Sequence, residues 1–180
     1  MKRSIILGSL GAVVLIAFVL TMYPHFAVVA QEKMAMPFGG KEDVDFATKA
    51  WKAMQDYKMW LVKSDMVPGK SPHGAFVQLY YNMVSVDGKP YHVIIKENFM
   101  PNKKLAALTV MIQREAGYDS DNNNWFWVKY DPDGSIGKND QGMALAGRVA
   151  KGMDMGCIAC HKAASDNDYI FINDAGTYGR

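Results

Sequence analysis

Two cysteines and a histidine near the C-terminus carry the strongest chemical signal in the sequence. Cys157 and Cys160 are separated by two residues, and His161 follows directly. At this spacing two thiols can add to the vinyl groups of a heme while the adjacent histidine binds the iron. One helical turn brings both sulfurs to one edge of the porphyrin and directs the next residue toward the metal. The motif predicts one covalent heme c per chain, with His161 as its axial ligand.

Other chemistry for the cysteine pair has less support. A redox dithiol needs no histidine after its second cysteine, and zinc would need further ligands from His25, His73 or His92. Because the sequence holds only two cysteines, a multi-disulfide framework and a four-cysteine zinc site are both excluded.

The elements that must position this motif can be predicted from the hydrophobic pattern. Apolar residues at three- and four-residue steps predict a helix over residues 43–60, with Asp43 as its N-cap. Runs of β-branched and aromatic residues then predict four strands, over residues 75–84, 91–99, 105–114 and 124–130. A second helix is predicted over residues 141–155. We expect an α+β fold with a predominantly antiparallel β-sheet, flanking helices and the C-terminal heme motif.

The N-terminus has the pattern of an export signal. Two basic residues precede an uncharged stretch, residues 5–23, and Pro24 and the small residue Ala30 follow it. Residues 1–30 are therefore predicted to be a signal peptide that directs the protein to the periplasm. The stretch approaches the roughly 20 residues that span a bilayer, so retention as an inner-membrane anchor stays open.

The remaining composition describes one domain. The chain has 180 residues, of which 49% are hydrophobic and 21% charged, which is typical of a globular protein. Residues 31–41 are expected to form a flexible lead-in and residues 42–180 the heme domain. The net charge of +2 comes from Lys2 and Arg3. The balanced remainder gives no electrostatic reason to expect a nucleic-acid partner.

Several segments resemble one known family. The aromatic strand 124–127, the turn 130–134, the heme motif and the tail 168–171 are similar to those of the cytochrome P-460 and cytochrome c-prime-beta family. The resemblance implies a periplasmic monoheme protein with one antiparallel sheet, a five-coordinate iron and a homodimeric assembly.

The family resemblance implies two functions. The P-460 members oxidise hydroxylamine and carry an extra bond from a lysine to the porphyrin, with a pocket carboxylate thought to accept protons. The c-prime-beta members lack this bond and bind NO or CO beneath apolar side chains. A simple electron-transfer cytochrome is a third alternative. The implied partners are NH2OH, NO or CO and a periplasmic electron-transfer protein.

Lys96 distinguishes these functions. It ends a β-branched run and precedes Glu97, as in the segment that carries the cross-linking lysine of P-460 members. Strand alternation places Lys96 on the face of Ile94, with Glu97 on the opposite face. Burial against a porphyrin would lower the pKa of the lysine. The alternative is a surface lysine whose stem covers the sheet.

The residues around the sixth iron position are less well determined by the sequence. Three acidic residues are candidate proton acceptors, although each is expected to be a solvated surface group: Glu97, Glu115 and Asp131. Three aromatic residues are candidate caps, although an aromatic residue in a sheet is more often plain core: Phe76, Phe99 and Trp127. The candidate sixth ligands are Met153, Met155, His73 and His92, and as a loop residue His73 is expected to be solvated.

Overall fold

The computed structural model describes residues 38–171. Within this range seven antiparallel strands form one sheet, in the order β1-β3-β4-β5-β6-β7, with β2 paired to β3. The strands are β1 (Val62–Lys63), β2 (Val67–Pro68), β3 (Phe76–Val86), β4 (Lys89–Phe99), β5 (Leu105–Gln113), β6 (Trp125–Tyr130) and β7 (Ala146–Gly147). The helices are α1 (Lys41–Ala53) and α2 (Cys157–His161), with 3-10 turns at Tyr57–Met59, Ser120–Asn122 and Lys162–Asn167. The predicted α+β fold is confirmed.

The four long strands agree with the predicted runs to within two residues at each end. The largest difference lies at the hairpin between β3 and β4, where pairing continues to Val86 and Lys89. Asp87 and Gly88 both have positive φ, at 51° and 77°. Such a two-residue turn matches the twist of the flanking strands and lets them pair up to the turn itself.

Helix α1 begins earlier and ends earlier than predicted. Its N-cap is Gly40 and not Asp43, which lies in the first turn with Glu42. Acidic side chains are favourable there because they face the positive end of the helix dipole. After Ala53 the chain leaves the helix and forms a 3-10 turn, which brings Tyr57 into the core.

The predicted helix over residues 141–155 is wrong. This segment contains the short strand β7, and Gly147 and Ala150 have left-handed φ values of 105° and 66°. A side chain at Gly147 would collide with the Asp43 carboxylate, so this glycine permits the close approach of α1. Pairing of Ala146 with Val128 on β6 supplies the backbone bonds that a helix would otherwise make.

The sheet is buried on both faces. We call the side that packs on α1 the helix face and the side that carries α2 the motif face. The helix-face core includes Ala50, Tyr80, Val93, Ile95 and Phe126. The motif-face core includes Leu79, Ile94, Trp127, Ile158 and Tyr169. Two buried faces explain why β4 and β6 are almost continuously apolar.

The N-terminal predictions lie mostly outside the described residues. The predicted signal peptide or anchor, residues 1–30, and residues 31–37 of the lead-in fall there. The predicted lead-in extends too far, because Phe38 is buried and bridges to Gly147 and Lys41 begins α1. Within residues 38–171, no helix is long and apolar enough to cross a membrane.

Candidate functional site

The cysteine pair lies on a single helical turn that is fixed by its flanking backbone. Gly156 precedes α2 with a φ of 125°, and a Cβ at this position would collide with Ala150. The amide of Cys160 donates to the carbonyl of Gly156 at 3.0 Å. Cys157 is half-buried, Cys160 is exposed, and the two do not form a disulfide. Both sulfurs can therefore reach one edge of a planar group laid on the motif face.

His161 is held in the tautomer that a metal ligand requires. Its ring is 6% exposed, and Nδ1 lies 2.6 Å from the carbonyl oxygen of Tyr169. A carbonyl only accepts, so Nδ1 carries the proton and Nε2 keeps its lone pair. Burial lowers the pKa of His161 to about 4, and the contact with Tyr169 opposes this shift. The neutral ring can bind iron through Nε2.

The Tyr169 carbonyl is aimed at His161 by a turn in the C-terminal segment. Asp168 and Tyr169 both have left-handed φ values, 56° and 65°. Side-chain nitrogens of Asn123 and Trp125 donate to Oδ1 of Asp168 at 2.8 and 3.2 Å. These bonds connect the turn to the start of β6 and hold it in a conformation that is rare outside glycine.

Loosening this turn should change the properties of the axial histidine. We expect Asp168→Ala to weaken the bond between Tyr169 and His161 and to raise the heme reduction potential. A histidine that loses its carbonyl partner is a poorer donor to the oxidised metal. Loss of part of one hydrogen bond corresponds to a shift on the order of 20–60 mV for a one-electron couple. Spectroelectrochemical titration measures the shift, with Asp166→Ala as the exposed control; equal potentials in the two variants would contradict the role of Asp168.

Lys96 lies on the motif face at the centre of the sheet. It occupies β4 between Leu79 on β3 and Thr109 on β5. Burial lowers its pKa to about 8, and the thiols of Cys157 and Cys160 oppose this shift. The predicted alternation is confirmed: Lys96 shares the motif face with Ile94, whereas Glu97 contacts the helix-face tyrosines.

His73 is not the solvated loop residue that the sequence indicated. Its side chain is half-buried, and its ring centre lies 6.0 Å from that of His161. Burial, followed by the charge of Lys96 and by His161, lowers the pKa of His73 to about 4. The proline-rich loop gave no signal for this contact, because packing between distant segments creates it. The other candidate ligands lie on the surface: His92, Met153 and Met155.

Trp127 is the candidate cap that the structure places at the site. Its ring centre lies 4.8 Å from that of His161. At this distance the indole packs directly against the imidazole of His161 and would help to hold that ring in place. Phe76 alternates with the motif-face residue Val77 and so points away, toward the helix face. Phe99 is buried at the end of β4, beside a bulge.

None of the three candidate proton acceptors lies beside Lys96 on the motif face. The expectation that Glu97 is solvated is wrong. Its side chain is 2% exposed and accepts hydrogen bonds from Tyr57 and Tyr80 on the helix face. Strand alternation among apolar neighbours was a signal that could have predicted its burial. Glu115 is exposed beside Arg114, and Asp131 lies half-buried at the turn after β6.

The residues present fit a heme on the motif face. Helix α2 supplies two thiols for covalent attachment of the heme and one neutral histidine to bind its iron. Trp127 Nε1 is buried on the same face without a hydrogen-bond partner. Buried polar atoms without partners are rare in folded proteins, and a prosthetic group with carboxylate oxygens could accept this N–H. Among the described residues, no cluster of His, Cys, Asp and Glu is arranged to hold a lone metal ion.

Comparison with known proteins agrees with this assignment. The model of the family described as Cytochrome P460 matches residues 68–172. This match covers more than half of the chain and includes the strands β3 to β7, Lys96 and the whole heme motif. No curated protein and no solved structure matches the chain. The chain belongs to the cytochrome P460 family of heme-binding, c-type cytochromes.

Proposed function

We propose that this protein is an exported, periplasmic cytochrome that oxidises hydroxylamine or a related nitrogen species and passes the electrons to a periplasmic acceptor. In this proposal Cys157 and Cys160 hold one heme c through thioethers, His161 binds its iron, and Lys96 bonds to the porphyrin. The burial of Lys96 on the motif face, beside both thiols, is the observation that carries the proposal.

The thiols are suited to the attachment reaction. Addition of an S–H group across a vinyl C=C bond forms one C–S bond and one C–H bond, and it needs no oxidant. Burial raises the pKa of the Cys157 thiol to about 11, an effect that Lys96 opposes. A thioether cannot ionise, so attachment leaves a neutral sulfur in a site that disfavours charge.

The environment of Lys96 supports a bond to the porphyrin and not the alternative, a surface lysine whose stem covers the sheet. A surface lysine extends its ammonium to water, and its pKa then stays near 10.5. Lys96 instead lies on a central strand, where burial lowers its pKa to about 8. About a tenth of the amine is therefore neutral and nucleophilic at pH 7, far more than for a lysine with an unperturbed pKa.

The chain contributes positioning and shielding to the reaction. When bound, the heme supplies an electron-accepting iron at which a small nitrogen compound can be oxidised. Leu79 and Ile94 give the motif face an apolar surface next to Lys96, which limits access of water. The Tyr169 carbonyl fixes the orientation of the His161 ring.

The test is the absorption spectrum of the dithionite-reduced protein together with hydroxylamine turnover. A lysine bond breaks porphyrin conjugation, so the wild type should show a Soret band displaced far to the red. We expect Lys96→Ala to restore an ordinary Soret band and to abolish turnover. Lys129→Ala is the matched control, because Lys129 is also half-buried and its charge also lowers the pKa of Cys157. This variant should keep both the red-shifted Soret band and the hydroxylamine turnover.

An ordinary Soret band in the wild type, unchanged by Lys96→Ala, would reject the enzymatic proposal. The second candidate, binding of NO or CO without catalysis, would then apply. One observation favours it: Glu97, the carboxylate next to Lys96 in sequence, faces the helix side of the sheet and cannot serve as a base at the motif face. NO and CO need little polar assistance from a pocket.

A further inference from the structure

The loop before β6 contains a fully buried carboxylate, that of Asp119. Both of its oxygens accept hydrogen bonds from side chains. Lys151 Nζ donates to Oδ1, and Asn122 Nδ2 donates to Oδ2 at 2.8 Å. A buried charge is costly unless charged or polar groups pair with it, so the position of Asp119 depends on both partners.

Asn122 connects Asp119 to the C-terminal segment. Because its Nδ2 donates to the carboxylate, its Oδ1 is left to accept from the Tyr169 hydroxyl, at 3.2 Å. The same hydroxyl lies 3.0 Å from the backbone carbonyl of Asp121, which is part of the same loop. Each contact pairs a donor with an acceptor, from the Tyr169 hydroxyl through the Asn122 amide to the Asp119 carboxylate.

The other end of Tyr169 touches the axial histidine. Its carbonyl oxygen lies 2.6 Å from Nδ1 of His161, and its side chain is buried. Tyr169 has a left-handed φ of 65°. A residue other than glycine keeps such a conformation only where the surrounding contacts hold it. The bonds at the hydroxyl therefore help to fix the direction of the carbonyl.

Lys151 connects Asp119 to the segment on the other side of the heme motif. This segment is attached to α2, because the amide of Ile158 donates to the carbonyl of Val149 at 3.2 Å. Asp119 is thus joined to the chain before α2 through Lys151 and to the chain after α2 through Asn122. A carboxylate is needed for both bonds, since both partners are donors and a side-chain amide has only one acceptor oxygen.

We propose that Asp119 is a positioning residue for the axial ligand: it holds the Tyr169 carbonyl against Nδ1 of His161 and thereby sets the strength of the bond between His161 and the heme iron. The inference rests on the heme assignment and not on hydroxylamine oxidation. A hydrogen bond at the second ring nitrogen makes an imidazole a better donor to the metal, so a change in this bond alters both the iron–histidine bond and the reduction potential.

The test measures the iron–histidine stretching frequency of the reduced, heme-loaded protein by resonance Raman spectroscopy, together with its reduction potential. We expect Asp119→Ala to lower the frequency and to make the potential more positive, because the hydrogen bond at Nδ1 weakens. A twofold to tenfold change in the equilibrium constant for reduction corresponds to about 20–60 mV. Tyr169→Phe should shift both quantities in the same direction, since it removes the hydroxyl and keeps the carbonyl that contacts His161.

Glu97→Gln is the matched control for a general loosening of the fold. Glu97 is as deeply buried as Asp119, but it bonds to tyrosines on the helix face. This variant should keep the frequency and the potential of the wild type. If Asp119 acts through Tyr169, the double variant Asp119→Ala/Tyr169→Phe should shift no further than the larger of the two single shifts.

An unchanged frequency in both single variants, an equal shift in Glu97→Gln, or additive shifts in the double variant would overturn the inference. Tyr169→Phe decides the question if Asp119→Ala fails to fold, because it removes a single oxygen atom. The outcome is separable from that of the proposed function. The iron–histidine frequency reports Asp119, whereas the Soret position and its response to Lys96→Ala report the cross-link.

Discussion

Replacement of both Cys157 and Cys160 by serine is expected to remove the thioether-bound heme completely. Serine preserves the size of each side chain, and a hydroxyl group does not replace a thiol in addition to a vinyl group. The effect is measured by heme staining after electrophoresis under denaturing conditions, where only covalently held heme stays with the chain. Each single variant should keep partial staining, because one sulfur remains on α2.

The same experiment counts the bonds between protein and heme. If Lys96 forms a third bond, the double serine variant will keep part of its heme through that bond and will still stain. Adding Lys96→Ala will then remove the remaining stain. His161→Ala is the companion control, because it deletes the iron ligand and leaves the covalent partners in place. Heme that survives denaturation in the triple variant would contradict the assignment of all three covalent positions.

The sheet could be predicted because each long strand carries its own local pattern. Alternating apolar residues and the Asp87-Gly88 turn specify the β3–β4 hairpin without reference to the rest of the chain. The segment 141–155 could not be predicted in this way. Its apolar spacing suits a helix, but Gly147 adopts a left-handed φ under the Asp43 carboxylate, and that contact depends on a helix about a hundred residues earlier.

In the candidate site, too, the features with a local sequence pattern could be predicted and those that depend on distant contacts could not. The heme motif is local, and the face of Lys96 follows from the two-residue period of a strand. The position of His73 next to His161 depends on how the loop before β3 packs on the end of β4. The contact of Trp127 with His161 likewise could not be predicted, since the sequence does not show that β6 packs against this histidine.

The largest expected effect on stability comes from Glu97. Its Oε1 accepts from Tyr57 at 2.6 Å and its Oε2 from Tyr80 at 3.0 Å, and Lys58 Nζ lies 3.4 Å away. Glu97→Ala should lower the free energy of unfolding by about 3 kcal/mol, because two buried hydroxyls lose their acceptor and a cavity remains. Urea denaturation followed by tryptophan fluorescence measures this loss.

Two further variants separate hydrogen bonding from other causes. Glu97→Gln keeps the shape and one acceptor oxygen, so we expect a smaller loss, about 1–2 kcal/mol. Glu115→Ala removes an exposed carboxylate and should change stability by less than about 0.5 kcal/mol. Burial, followed by the charge of Glu97 and its hydrogen bond, raises the pKa of Tyr80 to about 12, so ultraviolet titration of Glu97→Gln should show a lower tyrosine pKa. Equal stability of Glu97→Ala and Glu115→Ala would show that the tyrosine–carboxylate cluster does not hold the segment after α1 against the central strand.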